Sequence, residues 1–209
     1  MNIYKNAKKI HDEVITIDSH CDIDLKNFTD DYNYSINSES QINIPKINKG
    51  GLDVPWLVVY TAQESLNTKG YKKAYEKAIN KFDAIHRLIN NYSNGQLRLA
   101  TSSSDVFDIV NSGRKAVMIG VENGYPIAEN IDIINEFYER GARYMSLSHN
   151  GHNQLSDSNT GEYDGFYIHN GLSDLGKKAV IRMNKLGMII DISHPSKESI
   201  IETLKLSKA

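Results

Sequence analysis

Cysteine is nearly absent. Cys21 is the one cysteine among 209 residues, which excludes an internal disulfide and fits a reducing compartment. An excess of either charge is also missing. The formal net charge is −2 and the isoelectric point is near 6.4, so there is no basic field and nucleic acid is not an expected partner. No apolar run approaches the roughly 18–20 residues that span a bilayer. The opening run from Met1 to Lys9 lacks the apolar core of a signal segment. A cytoplasmic chain with no membrane partner is therefore the expectation. Internal repeats and low-complexity tracts are absent, and 40% of residues are hydrophobic. A single domain over 1–209 with a sizeable core is expected.

What is present is an alternation of short apolar runs and helical patterns, the sign of βαβ units and a parallel α/β sheet. Strands are expected at about 14–20, 55–61, 116–122, 143–149 and 187–193, with a short extra one near 97–100. Ala74, Ala78, Phe82, Ile85 and Leu88 recur at helical spacing within about 70–92. Further helices are expected from Ser103 to before Gly113, over about 130–140, and over about 173–186, the last capped by Ser173 or Asp174 and closed by Gly187. A final helix opens at Pro195 and Ser196 and runs to the carboxyl terminus. Two polar stretches, about 23–53 and 150–172, are too long for simple connectors and are expected to shape a binding site.

Four of the apolar runs end on a potential metal ligand. The first ends in Asp18-Ser19-His20-Cys21-Asp22, where a period of two puts Asp18, His20 and Asp22 on one strand face. Cys21 then points the other way and is expected to be packed rather than reactive, and Asp18 is expected to steady a ligand or loop from behind. The other three runs end in Glu122, His149 and His194. Parallel strands that each present such a side chain at the carboxyl end form the layout of an α/β-barrel active site. Carboxylate and imidazole suit zinc, and a carboxylate can bridge two ions. Two ions activate water and polarise a carbonyl, which is chemistry for amide hydrolysis. Spacing suggests His20 and Asp22 on one ion, His194 on a second, and Glu122 between them. His149 is then available to steady the oxyanion. The competing readings are a solvated strand end for His20 and Asp22, a capping or ion-pair role for Glu122, a structural role for His194 and loop support for His149. His11 and His86 fall in helical patterns and are expected to be surface or packing residues. His152 and His169 fall in the second polar stretch, where solvent exposure is the default.

These residues carry a resemblance to the renal (membrane) dipeptidase family of zinc-dependent peptidases. The similar stretches are Ile17-Asp18-Ser19-His20-Cys21-Asp22, Ile44-Pro45-Lys46-Ile47-Asn48-Lys49-Gly50-Gly51, Ile119-Gly120-Val121-Glu122-Asn123-Gly124, and Gly141-Ala142-Arg143-Tyr144-Met145-Ser146-Leu147-Ser148-His149-Asn150. Gly171-Leu172-Ser173-Asp174-Leu175-Gly176 and Leu186-Gly187-Met188-Ile189-Ile190-Asp191-Ile192-Ser193-His194 complete the set. The resemblance implies a TIM (β/α)8 barrel of the metallo-dependent hydrolase type with a binuclear zinc centre. His20 and Asp22 would bind one zinc, Glu122 would bridge both, and His194 would bind the other. His149 would contact the substrate and stabilise the tetrahedral intermediate formed when a metal-activated hydroxide attacks the amide of a dipeptide.

The chain resembles only the amino-terminal part of that family, with about five of the eight strand–helix units of a closed barrel. A second histidine on the second zinc, an arginine for the substrate carboxylate and an aspartate for proton transfer have no candidate in these residues. The isolated chain is therefore expected to be inactive, with exposed edges on its first and fifth main strands that favour a homodimer or a complementing carboxyl-terminal chain. Two other readings stay open. One is another TIM-barrel amidohydrolase, although such enzymes often carry His-x-His where this chain has His20-Cys21-Asp22. The other is a non-catalytic, degenerate relative.

Overall fold

The computed structural model describes residues 3–208; Met1 and Asn2 of the opening run and Ala209 of the expected final helix lie outside the described residues. The residues group into two compact units, one made of 3–58 and 83–118 and the other of 59–82 and 119–208.

In the first unit, helix α1 (Ile3–Glu13) precedes strand β1 (Ile17–Asp22), which pairs in parallel with β2 (Val54–Tyr60). The register slips between Asp18 and Cys21, where three steps on β1 face two on β2. The pairing is therefore irregular here, and in this strand only Cys21, between the exposed His20 and Asp22, is buried. The polar stretch between β1 and β2 is folded rather than loose. Tyr34 packs against Phe28 with ring centroids 4.9 Å apart, and its hydroxyl accepts the Asp24 N–H at 2.7 Å. The stretch also holds a helix that periodicity did not reveal, α2 (Ile44–Gly50). Asn43 caps it by accepting the Lys46 N–H, and Gly51 closes it at φ 74°, a left-handed conformation that costs glycine little.

The amino end of this part of the sheet is tied together by Asp53. Its carboxylate accepts from the Thr16 N–H and hydroxyl and pairs with Lys115 at 3.0 Å, while its carbonyl accepts the Ala116 N–H. Lys115 opens β4 (Lys115–Glu122), and the short β3 (Leu97–Leu99) pairs in parallel with that end of it. Between them runs α4 (Ser103–Asn111), capped by Ser102, one residue earlier than the expected start. Helix α3 (Thr68–Arg87) buries Ala74, Ala78, Phe82 and Ile85, as the helical spacing requires, and passes into a wider π turn over Leu88–Tyr92.

In the second unit β4 pairs in parallel with β5 (Ala142–Ser146), and β5 with β6 (Ile189–Asp191). The sheet order is β1-β2-β4-β5-β6, with β3 as a further partner of β4. Helix α5 (Asp132–Glu139) precedes β5, and Phe137 meets Phe82 at 5.3 Å between ring centroids. Helix α7 (Asp174–Leu186) is capped by Ser173 and closed by Gly187 in the left-handed conformation. Gly176 faces the Leu155 carbonyl so closely that no side chain fits between them. Helix α8 (Lys197–Leu206) is capped by Ser196. The long stretch between β5 and α7 contains one short helix, α6 (Gly161–Asp164). Edge residues Ile17 of β1 and Ile189 of β6 are more than half exposed. No helix of the described residues is long and apolar enough to cross a membrane.

Candidate metal centre

Register brings three of the candidate side chains together. Val121 pairs with Met145, and Ser146 pairs with Asp191. Glu122, the last residue of β4, is therefore next to the level of Ser146 and Asp191, and His149 and His194 each stand three residues beyond that paired level. The two turns leave adjacent parallel strands at the same height, so their imidazoles meet. Their ring centroids are 4.2 Å apart at 47°. His149 also packs on Tyr60 at 4.8 Å.

Both imidazoles reach the same carboxylate oxygen. Glu122 Oε1 lies 3.1 Å from His194 Nε2 and 3.4 Å from His149 Nε2. Side-chain exposure is 7% for Glu122, 18% for His149 and 25% for His194, so the carboxylate is buried while the rings keep an open edge. The three ligating atoms all lie within 4.8 Å of one another and can hold a metal ion. Two donors on a tetrahedral ion with bonds of about 2.1 Å stand about 3.4 Å apart. The two carboxylate–imidazole distances, 3.1 and 3.4 Å, are close to that requirement, and carboxylate and imidazole are donors that zinc accepts.

The backbone beyond Glu122 is held by residues that spacing did not single out. Asn123 is fully buried and adopts φ 78°, a left-handed conformation that asparagine tolerates better than most residues. Its amide donates to the Thr61 carbonyl, its backbone N–H donates to Ser146 Oγ, and its side-chain oxygen accepts from Asn153. The same stretch corrects the expectation of exposed loop histidines. The His152 side chain is only 10% exposed, with Nδ1 at 3.1 Å from Asp157 Oδ1, and His169 Nε2 lies 2.8 Å from the Asn153 carbonyl. A buried acid forms the centre of this stretch and draws its polar groups inward. Nothing in the order of these polar residues distinguishes such a stretch from a solvated one.

His20 and Asp22 stand in the first unit at the carboxyl end of β1. His20 Nε2 is 4.0 Å from Asp22 Oδ2, and their side chains are 41% and 72% exposed. Asp18 Oδ1 accepts the His20 backbone N–H at 3.1 Å, so Asp18 does brace this turn. Cys21 is buried. Burial, followed by the neighbouring Asp18 carboxylate, pushes its thiol up to about 12, which leaves it protonated at neutral pH, in keeping with a packed rather than a reactive cysteine. His11 lies against Gly51.

Comparison with known proteins adds independent findings. The sequence pattern of Membrane dipeptidase (Peptidase family M19) matches residues 4–209. Dipeptidase verJ of Clonostachys rogersoniana is 39% identical over 127 residues, which is 61% of this chain and 32% of that protein. Dipeptidase 3 of Mus musculus is 30% identical over 189 residues, 90% of this chain and 35% of that protein. The chain thus spans about a third of the length of these curated relatives. Among solved structures, the probable dipeptidase PvdM from Pseudomonas aeruginosa superimposes with a TM-score of 0.89 at 24% identity, covering 98% of this chain and 53% of that one. That likeness bears on the fold.

Proposed function

Because the chain belongs to the membrane dipeptidase family, peptidase family M19, we propose that it carries the metal-binding part of a zinc-dependent dipeptidase. The observation that carries this reading is the single Glu122 oxygen shared by His149 and His194 at 3.4 and 3.1 Å. A divalent ion supplies, when bound, a lowered pKa for water and a polarised amide carbonyl. Glu122 and His194 would hold one such ion, and His20 and Asp22 would hold the second with Glu122 as the shared ligand.

This chain's own residues supply charge and orientation. Glu122 brings a buried negative charge that a cation neutralises, and its burial in a region of reduced dielectric strengthens that attraction. His149, held between the Tyr60 and His194 rings, would donate its Nε2 proton to the amide oxygen of a dipeptide as negative charge develops there. A dipeptide is the substrate class supported by the family. Hydrolysis of the amide in a cytoplasmic setting is the proposed role of the complete protein. Of the enzymatic readings open from the sequence, the family match favours the dipeptidase over other amidohydrolases.

The test is zinc content and hydrolysis of a simple dipeptide, measured together. Changing His194 to Ala should remove mainly the ion held with Glu122 and lower the zinc content. Changing His149 to Ala should leave zinc in place and lower turnover by about 10²–10³, the usual cost of one oxyanion donor. A complete protein that binds no zinc, or that hydrolyses dipeptides equally well after chelation, would overturn the reading.

A further inference from the structure

We propose that Asp157, Ser158 and Asn159 form a positioning segment that sets the separation of His149 and His194, an inference that rests on reading these histidines as part of a metal centre. Consecutive residues pin the two turns. Ser158 Oγ donates to the His149 carbonyl at 2.5 Å. The next residue, Asn159, donates its N–H to the His194 carbonyl at 2.8 Å. The preceding residue, Asp157, accepts the Ser196 N–H on its carbonyl at 2.8 Å. Ser158 also bridges Pro195 in antiparallel fashion. Both histidine-bearing turns are thus bonded to one short peptide, and their relative placement is set by its fixed length.

The segment is itself anchored by a buried charge. Asp157 is completely buried, and its carboxylate accepts the Ile168 N–H on Oδ1 at 2.9 Å and the His169 and Gly171 N–H groups on Oδ2, both at 3.0 Å. Each oxygen takes at least one backbone N–H. Asparagine cannot reproduce this, because its NH2 would oppose a backbone donor in either orientation and leave buried groups unpaired. Burying a carboxylate is costly without such partners, so its presence two residues from Asn159 fits a demand for rigidity at this point.

His194 shows why the backbone matters. Its Nδ1 is buried without a hydrogen-bond partner among the described residues. A metal-binding imidazole is usually oriented by an acceptor on its second nitrogen. Among the described residues none does this for His194, so beyond its contacts with Glu122 and His149 the ring is placed by its main chain, which Asn159 holds at the His194 carbonyl and Asp157 at the Ser196 N–H.

The experiment compares three variants with the parent chain by zinc affinity, measured by chelator competition, and by imidazole resonances of the metal-free protein. Asp157→Asn and Ser158→Ala should each weaken zinc binding, within the 10–100-fold range typical of supporting residues, and should shift the ring resonances of His149 and His194. Asp53→Asn is the matched control. It removes a hydrogen-bonded carboxylate in the first unit and should lower thermal stability while leaving zinc affinity and both rings unchanged. Parental affinity and unshifted rings in Asp157→Asn and Ser158→Ala would overturn the proposal, as would an equal affinity loss in Asp53→Asn. If Asp157→Asn fails to fold, Ser158→Ala decides by the same readings. If the parent binds no zinc, the metal reading fails, and the ring resonances alone decide whether the segment positions the histidines.

Discussion

The end of β1 and the ends of β4 to β6 offer the same kinds of ligand in opposite physical settings. His20 and Asp22 are open to solvent beside a slipped register. Glu122, His149 and His194 are largely enclosed, bonded through Asn123 and flanked by a folded loop. A solvated pair can adjust to an ion but has little preorganisation, whereas an enclosed set meets the ion with its geometry already fixed. The buried set should therefore dominate metal affinity, and the exposed pair should contribute less by itself.

The sharpest way to break that contrast is Glu122→Gln. Loss of a shared carboxylate should cost at least the 10–100-fold in zinc affinity seen for supporting residues, whereas His20→Ala should cost less. Metal analysis of both variants decides the matter, and equal retention of zinc by Glu122→Gln and the parent would remove the distinction.

Next in size is Gly176→Ala. The added methyl group collides with the Leu155 carbonyl, and since backbone must move, a loss of about 3 kcal/mol is expected in urea unfolding. The displacement falls on the stretch that holds Asn153 and Asp157, so the enclosed site should lose zinc affinity as well. A comparable clash cannot be made at His20 or Asp22, which face solvent.

Asp53→Asn probes the first unit's stability without touching ligands, at a cost of about 1–3 kcal/mol. Burial pushes the Asp53 carboxyl up, but the Thr16 N–H and Lys115 outweigh it and hold it below the usual carboxylate range. A depressed folded-state value means stabilisation that is present above about pH 4 and is lost as pH falls through the folded value. The difference between parent and variant should therefore be full at neutral pH and shrink in acid, as read by thermal unfolding at several pH values. A gap that grows on acidification would contradict the assignment.

The smallest effect concerns Cys21. With its thiol pushed up to about 12 by burial and Asp18, the native chain should be alkylated far more slowly at pH 8 than the unfolded chain. Equal rates would mean that the β1 end is looser than its packing indicates.

Much of this was legible in the residues because it is local. Apolar runs ending at Asp22, Glu122, His149 and His194 marked the strand ends, and Ala74, Ala78 and Phe82 marked a helix face. Ser173 and Gly187 marked where α7 starts and stops. Helix α2 escaped because Ile44-Pro45-Lys46-Ile47-Asn48-Lys49-Gly50 spans only two turns, too short for a period to emerge. His20 and Asp22 come together and Cys21 alone is buried, as the alternation in β1 requires, but the slip opposite β2 escaped, since a register irregularity belongs to the pair of strands and not to either sequence.

By itself the sequence determined the α/β class, the order of the strands and the longer helices between them, the family and the kinds of side chain available at the strand ends. Side-chain type and period act over a few residues, and composition needs no partner to be read. Only tertiary structure decided that His149 and His194 share one oxygen of Glu122, that Asn123 locks the turn beyond it, and that Asp157 is a buried anchor. Those facts depend on strand register and on a polar stretch folding back over 150–172, where residues far apart in the chain satisfy one another's hydrogen bonds. A hydrogen-bond partner is chosen by the closed loop, and no spacing along the chain encodes it.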